Sequence, residues 1–113
     1  ESIFRRMQEA RRAGYWVELH YVGLPSSDCN IERVRERAER GLHDIEPDTI
    51  RRRYQASMHN IPKALSLANL AMLYDNWERP HHPYLLYHDQ HWQVLGQPLP
   101  TWLAAIHDSH AIH

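Results

Sequence analysis

Residues 33–54 read RVRERAERGLHDIEPDTIRRRY, which predicts a helix, a sharp turn and a second helix. Gly41 suits the end of the first helix, because a residue without a Cβ accepts the left-handed conformation that follows a helix. Pro47 suits the first turn of the second, where its missing N–H leaves no bond unmade. Between Glu32 and Arg53 stand seven arginines (33, 35, 37, 40, 51, 52, 53) and six acids (32, 36, 39, 44, 46, 48). The excess is a single positive charge, so this is no polybasic arm. It reads as two helices that direct selected arginines at a small anionic target.

On the N-terminal side, Tyr15 to Leu24, YWVELHYVGL, reads as a strand: aromatic and β-branched, partly alternating, and bounded by Gly14 and Pro25. Residues 2–13 read as an amphipathic helix with Ile3, Phe4, Met7 and Ala10 at helical spacing. Pro25 to Asp28 reads as a loop with capping residues. The helix after it is expected to begin near Asn30, with Ile31, Val34 and Ala38 on one face.

On the C-terminal side, the helix from Pro47 is expected to end near His59, with Ile50, Tyr54 and Met58 inward. Pro62 is expected to open a separate helix running to Leu70, because an interior proline removes a helical hydrogen bond and crowds the preceding turn. Ala71 to Asn76, AMLYDN, reads as a second strand. It follows a helix rather than a tight turn, which predicts that it lies parallel to the first strand. Tyr84 to Leu95 reads as a β-hairpin with its tip at Asp89-Gln90, and Pro100 leads into a short helix from Trp102 to His107. This order predicts an α/β fold in one domain over residues 1–113: parallel strands flanked by helices, with a C-terminal β-hairpin. Open parallel sheets bind ligands at the carboxyl ends of their strands, here Leu24–Ser27 and Asp75–Trp77.

The totals narrow the function classes. At 113 residues and 42% hydrophobic content, the chain supports one small core. A net charge of −1 argues against nucleic acid and anionic membranes as partners. The single cysteine, Cys29, cannot form an internal disulfide, which fits a reducing compartment and a cytoplasmic location. No apolar run approaches the roughly 18 residues of a membrane span, and the N-terminus reads as helix rather than secretory leader. Seven of the ten histidines follow residue 80. His81 and His82 precede the hairpin, His88 and His91 flank its tip, and His107, His110 and His113 recur every third residue. Without further cysteines or an H-E-x-x-H pattern, no metal site is predicted from them. Trp16, Trp77, Trp92 and Trp102 are expected in the core.

GYWVELHYVGL, NIERVRERAERGLHDIEPDTIRRRY and LYDNW, in this order and spacing, resemble the zeta-toxin-like P-loop kinases, in particular their shorter branch of predicted ATPases. The resemblance covers about residues 3–77 and, more loosely, the rest. It implies a three-layer P-loop kinase fold, of which this chain is the C-terminal part, with the lid region at about residues 30–60. It also implies ATP and Mg²⁺ as cofactors and phosphoryl transfer to a small hydroxylated acceptor. Two positions depart from the pattern. A Gly-Gly-His turn is Gly41-Leu42-His43 here, and Asp-Asn-Ser is Asp75-Asn76-Trp77. The phosphate-cradling G-x-x-x-x-G-K-[ST] motif does not occur, since the four glycines stand apart at 14, 23, 41 and 96. The family's acidic base belongs to the same N-terminal part. The expectation is therefore a chain that is inactive and binds no nucleotide alone. It would complement a separate N-terminal segment or, in the alternative reading, act as a protein-interaction or homo-oligomerisation module without catalysis.

The resemblance assigns Arg37, Arg40, Arg52 and Arg53 to the charge on a transferring phosphoryl group, where a fixed-charge, bidentate guanidinium is well suited. Consecutive helical residues lie about 100° apart, so Arg51, Arg52 and Arg53 cannot all face one cleft. The alternative for each arginine is a solvated helix face. His43 falls in the lid turn, where it either meets phosphate or caps the preceding helix. Asp75 and Asn76 either hold a base or ribose, or close the strand as turn residues.

Overall fold

The computed structural model describes residues 2–41, 44–77 and 82–109. Its elements run α1 (Ser2–Arg12), β1 (Glu18–Gly23), α2 (Ser27–Glu39), α3 (Pro47–Leu67), β2 (Leu70–Asp75), β3 (Pro83–His88), β4 (His91–Val94) and α4 (Thr101–Ser109). The strands form one open mixed sheet in the order β1-β2-β3-β4. β1 and β2 are parallel, as expected of a strand reached through helices, and β3 joins β2 antiparallel. The β3–β4 turn is Asp89-Gln90, both at positive φ (53° and 64°), which is the twist a two-residue hairpin requires.

Local chemistry sets the helix ends. Gly14, at φ +88°, closes α1: its N–H donates to the Arg11 carbonyl and that of Tyr15 to the Ala10 carbonyl. Gly41 does the same for α2 at φ +87°, donating to Ala38. α2 begins three residues earlier than the expected Asn30, because the Ser26 hydroxyl accepts the Cys29 N–H and caps it there. β1 begins at Glu18 rather than Tyr15. Tyr15 and Trp16 are exposed, and the Asn69 side chain takes the Val17 N–H at 2.7 Å before the strand ladder starts.

The expected break at Pro62 does not occur, and α3 is one helix of 21 residues. Ile50, Ile61 and Leu65 are buried along it, with Met58 packed on the core beside them. Pro62 itself is exposed. The buried stripe holds the helix to the sheet on both sides of the proline, which outweighs the missing bond.

The core lies between the sheet and the helices α3 and α4. Ile61, Leu65, Ala71, Leu73, Leu85, Trp102, Leu103 and Ile106 form it, with Leu19, Tyr21, Tyr87 and Trp92 packed against them. Along each strand these residues alternate with Glu18, His20, Val22, Leu70, Met72, Tyr74, Leu86 and His88, which stand half-buried or exposed on the opposite face. Among the described residues the fold is thus the α/β arrangement expected, an open mixed sheet with α3 and α4 on one face and half-buried or exposed side chains on the other. No helix of the described residues is long and apolar enough to cross a membrane.

Candidate functional site

The carboxyl ends of β1 and β2 meet where the Asn76 N–H donates to the Gly23 carbonyl at 2.9 Å. Five side chains, Asp75, Trp102, Arg33, Trp77 and Tyr54, build the surroundings of this junction. Asp75 is only 4% exposed, and both of its oxygens are engaged. Oδ1 accepts the Trp77 backbone N–H at 2.8 Å, and Oδ2 accepts the Trp102 indole N–H at 2.8 Å. The first bond is an Asx turn, the strand-closing role expected of this residue type. The second ties α4 to the strand end.

Arg33 approaches from α2. Its guanidinium donates to the carbonyls of Asn76 (3.1 Å) and Trp77 (3.2 Å) and stacks on the Trp77 ring, 4.8 Å from its centroid. From α3, the Tyr54 hydroxyl donates to the carbonyls of Leu24 (3.3 Å) and Pro25 (3.1 Å), fixing the loop after β1. Burial pushes the Tyr54 phenol above its ordinary range, with smaller contributions from Tyr21, Cys29 and Asp75.

Two cavities flank the junction. One of about 510 Å³ lies between Asp75, Trp77, Tyr84, Trp102 and the segment Gln97–Pro100. The other, about 260 Å³, lies between β1, α2 and α3 and is lined by Tyr21, Asn30, Arg53, Tyr54 and Ser57 among others. In the latter the Asn30 side-chain oxygen is buried without a hydrogen-bond partner. The Tyr21 and Ser57 hydroxyls meet there at 2.7 Å. Burial raises the Tyr21 pKa, and the Ser57 bond offsets part of that rise.

The arginines singled out from the sequence do not converge. Arg53 lines the smaller cavity, close to the β1 end. Arg37 is exposed. Arg40 faces solvent 3.9 Å from Glu36. Arg52 turns back on its own helix, to the Asp48 carbonyl and the Thr49 hydroxyl. His43 lies outside the described residues, as do His81, His110 and His113. Among the described residues no group of three or more His, Cys, Asp or Glu is placed to hold a metal ion. Asp75 lines the larger cavity, and Asn76 follows it at the β2 end, where its N–H donates to the Gly23 carbonyl.

Three contributors were missed by sequence reasoning. Arg33 and Tyr54 reach partners 29 to 44 residues away in sequence, for which the chain carries no local signal. Trp102 had a signal: a buried indole N–H needs an acceptor, and Asp75 is the acid set at the end of an apolar strand. Of the other tryptophans, Trp92 packs on the core and Trp77 is half-buried, whereas Trp16 is 57% exposed.

No known protein family matches this chain, and no solved structure does. The chain is similar to an uncharacterized protein of Haemophilus influenzae, with 36% identity over 53 residues. That stretch is 47% of this chain and 38% of the relative, so the chain spans well under half of that relative's length.

Proposed function

We propose that this chain is the C-terminal part of a zeta-toxin-like P-loop kinase, inactive alone, whose complete form transfers a phosphoryl group from ATP to a small hydroxylated acceptor. The observation that carries this reading is the position of β1. It is a parallel strand at the sheet's edge, paired on one side only, with the arginine-bearing α2 and α3 at its carboxyl end. Parallel strands are normally buried on both faces. An open edge and a bare second face fit a sheet that continues in another segment carrying the phosphate loop. In that assembly Mg²⁺ and ATP supply the electrophilic phosphorus. Arg53, with Arg37, Arg40 and Arg52 from the exposed faces of the lid helices, would neutralise charge on it, His43 would belong to the lid turn, and Asp75 and Asn76 would flank the base or ribose.

Calorimetric titration with Mg-ATP tests the proposal. The chain alone is expected to show no saturable heat. Mixed with a polypeptide that supplies the strand, phosphate loop and base, it should gain ATP turnover that falls at least tenfold in Arg53→Ala. Micromolar binding by the chain alone would sink the reading, because a phosphate site would then exist within these residues.

The exposed sheet face favours a second reading, an interaction module without catalysis. Trp16, His20 and Tyr74 line that face with Glu18, joined by hydrogen bonds of 3.0 to 3.3 Å. A defined oligomer in sedimentation, with no gain of turnover in the mixture, decides for it.

A further inference from the structure

We infer that a cavity of about 470 Å³ at the amino ends of the parallel strands binds a short apolar peptide by its two free termini, with Arg11 taking the carboxylate and Asp89 the ammonium group. The cavity lies at the opposite end of the sheet from Asp75, where Leu70, the first residue of β2, pairs with His88, the last of β3. Its walls come from α1, the end of α3 and the β3–β4 turn. None of the residues assigned to nucleotide or phosphoryl chemistry lines it, so the inference does not rest on the kinase reading.

The charges carry the argument. Arg11 and Asp89 both line the cavity, yet neither has an oppositely charged side chain within 4.0 Å among the described residues, and they do not pair with each other. Two opposite charges held apart at one cavity match a ligand that carries both. A dianion would meet repulsion from Asp89, and a simple cation from Arg11. Two neighbouring groups have the matching polarity. The Asn69 side-chain oxygen accepts the Val17 N–H at 2.7 Å, which leaves its amide N–H groups as donors for a carboxylate or a peptide carbonyl. α3 ends at the cavity with no basic residue in its last turn, so the negative end of its dipole favours an ammonium group.

Apolar surface and size select the body of the ligand. Leu65, Ala68 and the Tyr87 ring add apolar lining, which suits aliphatic side chains. The volume falls in the range of small-molecule sites, about 300–1,000 Å³, and has room for two residues rather than one.

The test is calorimetry and ligand-observed NMR on the full chain with leucyl-leucine, leucine, N-acetyl-leucyl-leucine and leucyl-leucine amide. Leucyl-leucine is expected to bind saturably. Each blocked peptide should bind about tenfold more weakly or worse, since it leaves one charge of the cavity without its partner. Leucine should also bind more weakly, having lost the second side chain. Asp89→Asn is expected to weaken leucyl-leucine about tenfold and to leave the N-acetyl peptide unchanged, and Arg11→Gln to weaken leucyl-leucine equally and leave the amide unchanged. Both residues are exposed, and asparagine accepts the positive φ of position 89, so the variants keep the fold. No binding of leucyl-leucine at millimolar concentration, blocked peptides or leucine that bind as tightly as leucyl-leucine, or an unchanged affinity for leucyl-leucine in either variant each overturns the inference.

Discussion

The indole N–H of Trp102 donates to the buried carboxylate of Asp75 across 27 residues of sequence, at 2.8 Å. The same indole packs over Gly23, so a single side chain of α4 touches the ends of both parallel strands. Trp102→Phe keeps an aromatic ring but leaves one carboxylate oxygen without its donor. The expected loss is about 1–3 kcal/mol of unfolding free energy, read from urea denaturation. A loss below about 0.5 kcal/mol would mean that water replaces the indole at no cost, and that the bond is not what anchors α4.

Gly23 is where the same contact is most exposed to steric challenge. A Cβ placed there would come within 2.5 Å of Trp102 Cη2 and 3.0 Å of Tyr21 Cε1. The objection to a side chain is purely one of space, since the strand backbone itself accepts any residue. Gly23→Ala is expected to destabilise by about 1–3 kcal/mol through displacement of Trp102. Tryptophan emission shifting to the red at unchanged helix content would confirm that the indole, not the strand, gives way.

Where the sequence was legible, a local signal and the tertiary structure agreed. Gly14 and Gly41 end helices at positive φ, Asp89-Gln90 turns the hairpin, and the strand after α3 lies parallel to β1. The site was legible only in part. The strand ends were placed at Asp75 and at the loop after Gly23, but the contacts that shape them come from Arg33, Tyr54 and Trp102, through the fold rather than the chain. The arginine pattern in turn was a helix-surface pattern as much as a site pattern, since Arg40 and Arg52 find their partners within a turn of their own helices. Pro62 misled for a related reason. A local rule set the break, and burial of Ile61 and Leu65 overrode it.

That conflict at Pro62 is measurable. Its ring is exposed, so removing it sacrifices no core contact, and alanine restores an N–H that can donate to the Met58 carbonyl. Pro62→Ala is therefore expected to stabilise the chain by about 1–2 kcal/mol, the helical gain being reduced by a freer unfolded chain. A higher urea midpoint at the same slope checks it. Destabilisation would show that the proline shapes α3 in a way the buried stripe depends on.

Tyr21 and Tyr54 are expected to contribute to a loss of stability at alkaline pH. Burial raises both phenols above their ordinary value of 10.0. In a raised group the folded state holds its proton more tightly than the unfolded state. The associated stability is thus fully present below pH 10 and is lost as pH rises through the folded values. Unfolding free energy measured from neutral to strongly alkaline pH should be flat with respect to these groups and then fall. In Tyr21→Phe the fall should be shallower, at the expense of a lower plateau from the lost 2.7 Å bond to Ser57. An unchanged alkaline slope in that variant would assign the titration elsewhere.

The arginines of α2 and α3 divide into one that holds the fold and several that do not, and substitution separates them. Arg33 donates to two backbone carbonyls beyond β2 and stacks on Trp77, so Arg33→Ala removes two charge-assisted bonds and a cation–π contact together. The expected cost is about 1–3 kcal/mol. Arg33→Lys should recover only a fraction: one guanidinium nitrogen serves both carbonyls, which an ammonium could also do, but an ammonium lacks the flat plane that stacks on the Trp77 ring. Arg37, Arg40 and Arg52 are exposed, and alanine at each should change stability by less than about 0.5 kcal/mol. Thermal unfolding of the four alanine variants side by side decides the matter. If Arg37→Ala or Arg40→Ala costs as much as Arg33→Ala, these side chains are holding structure, and their assignment to phosphoryl charge loses its basis. If only Arg33 is costly, the remaining arginines are left available for a ligand or partner, as the kinase reading requires.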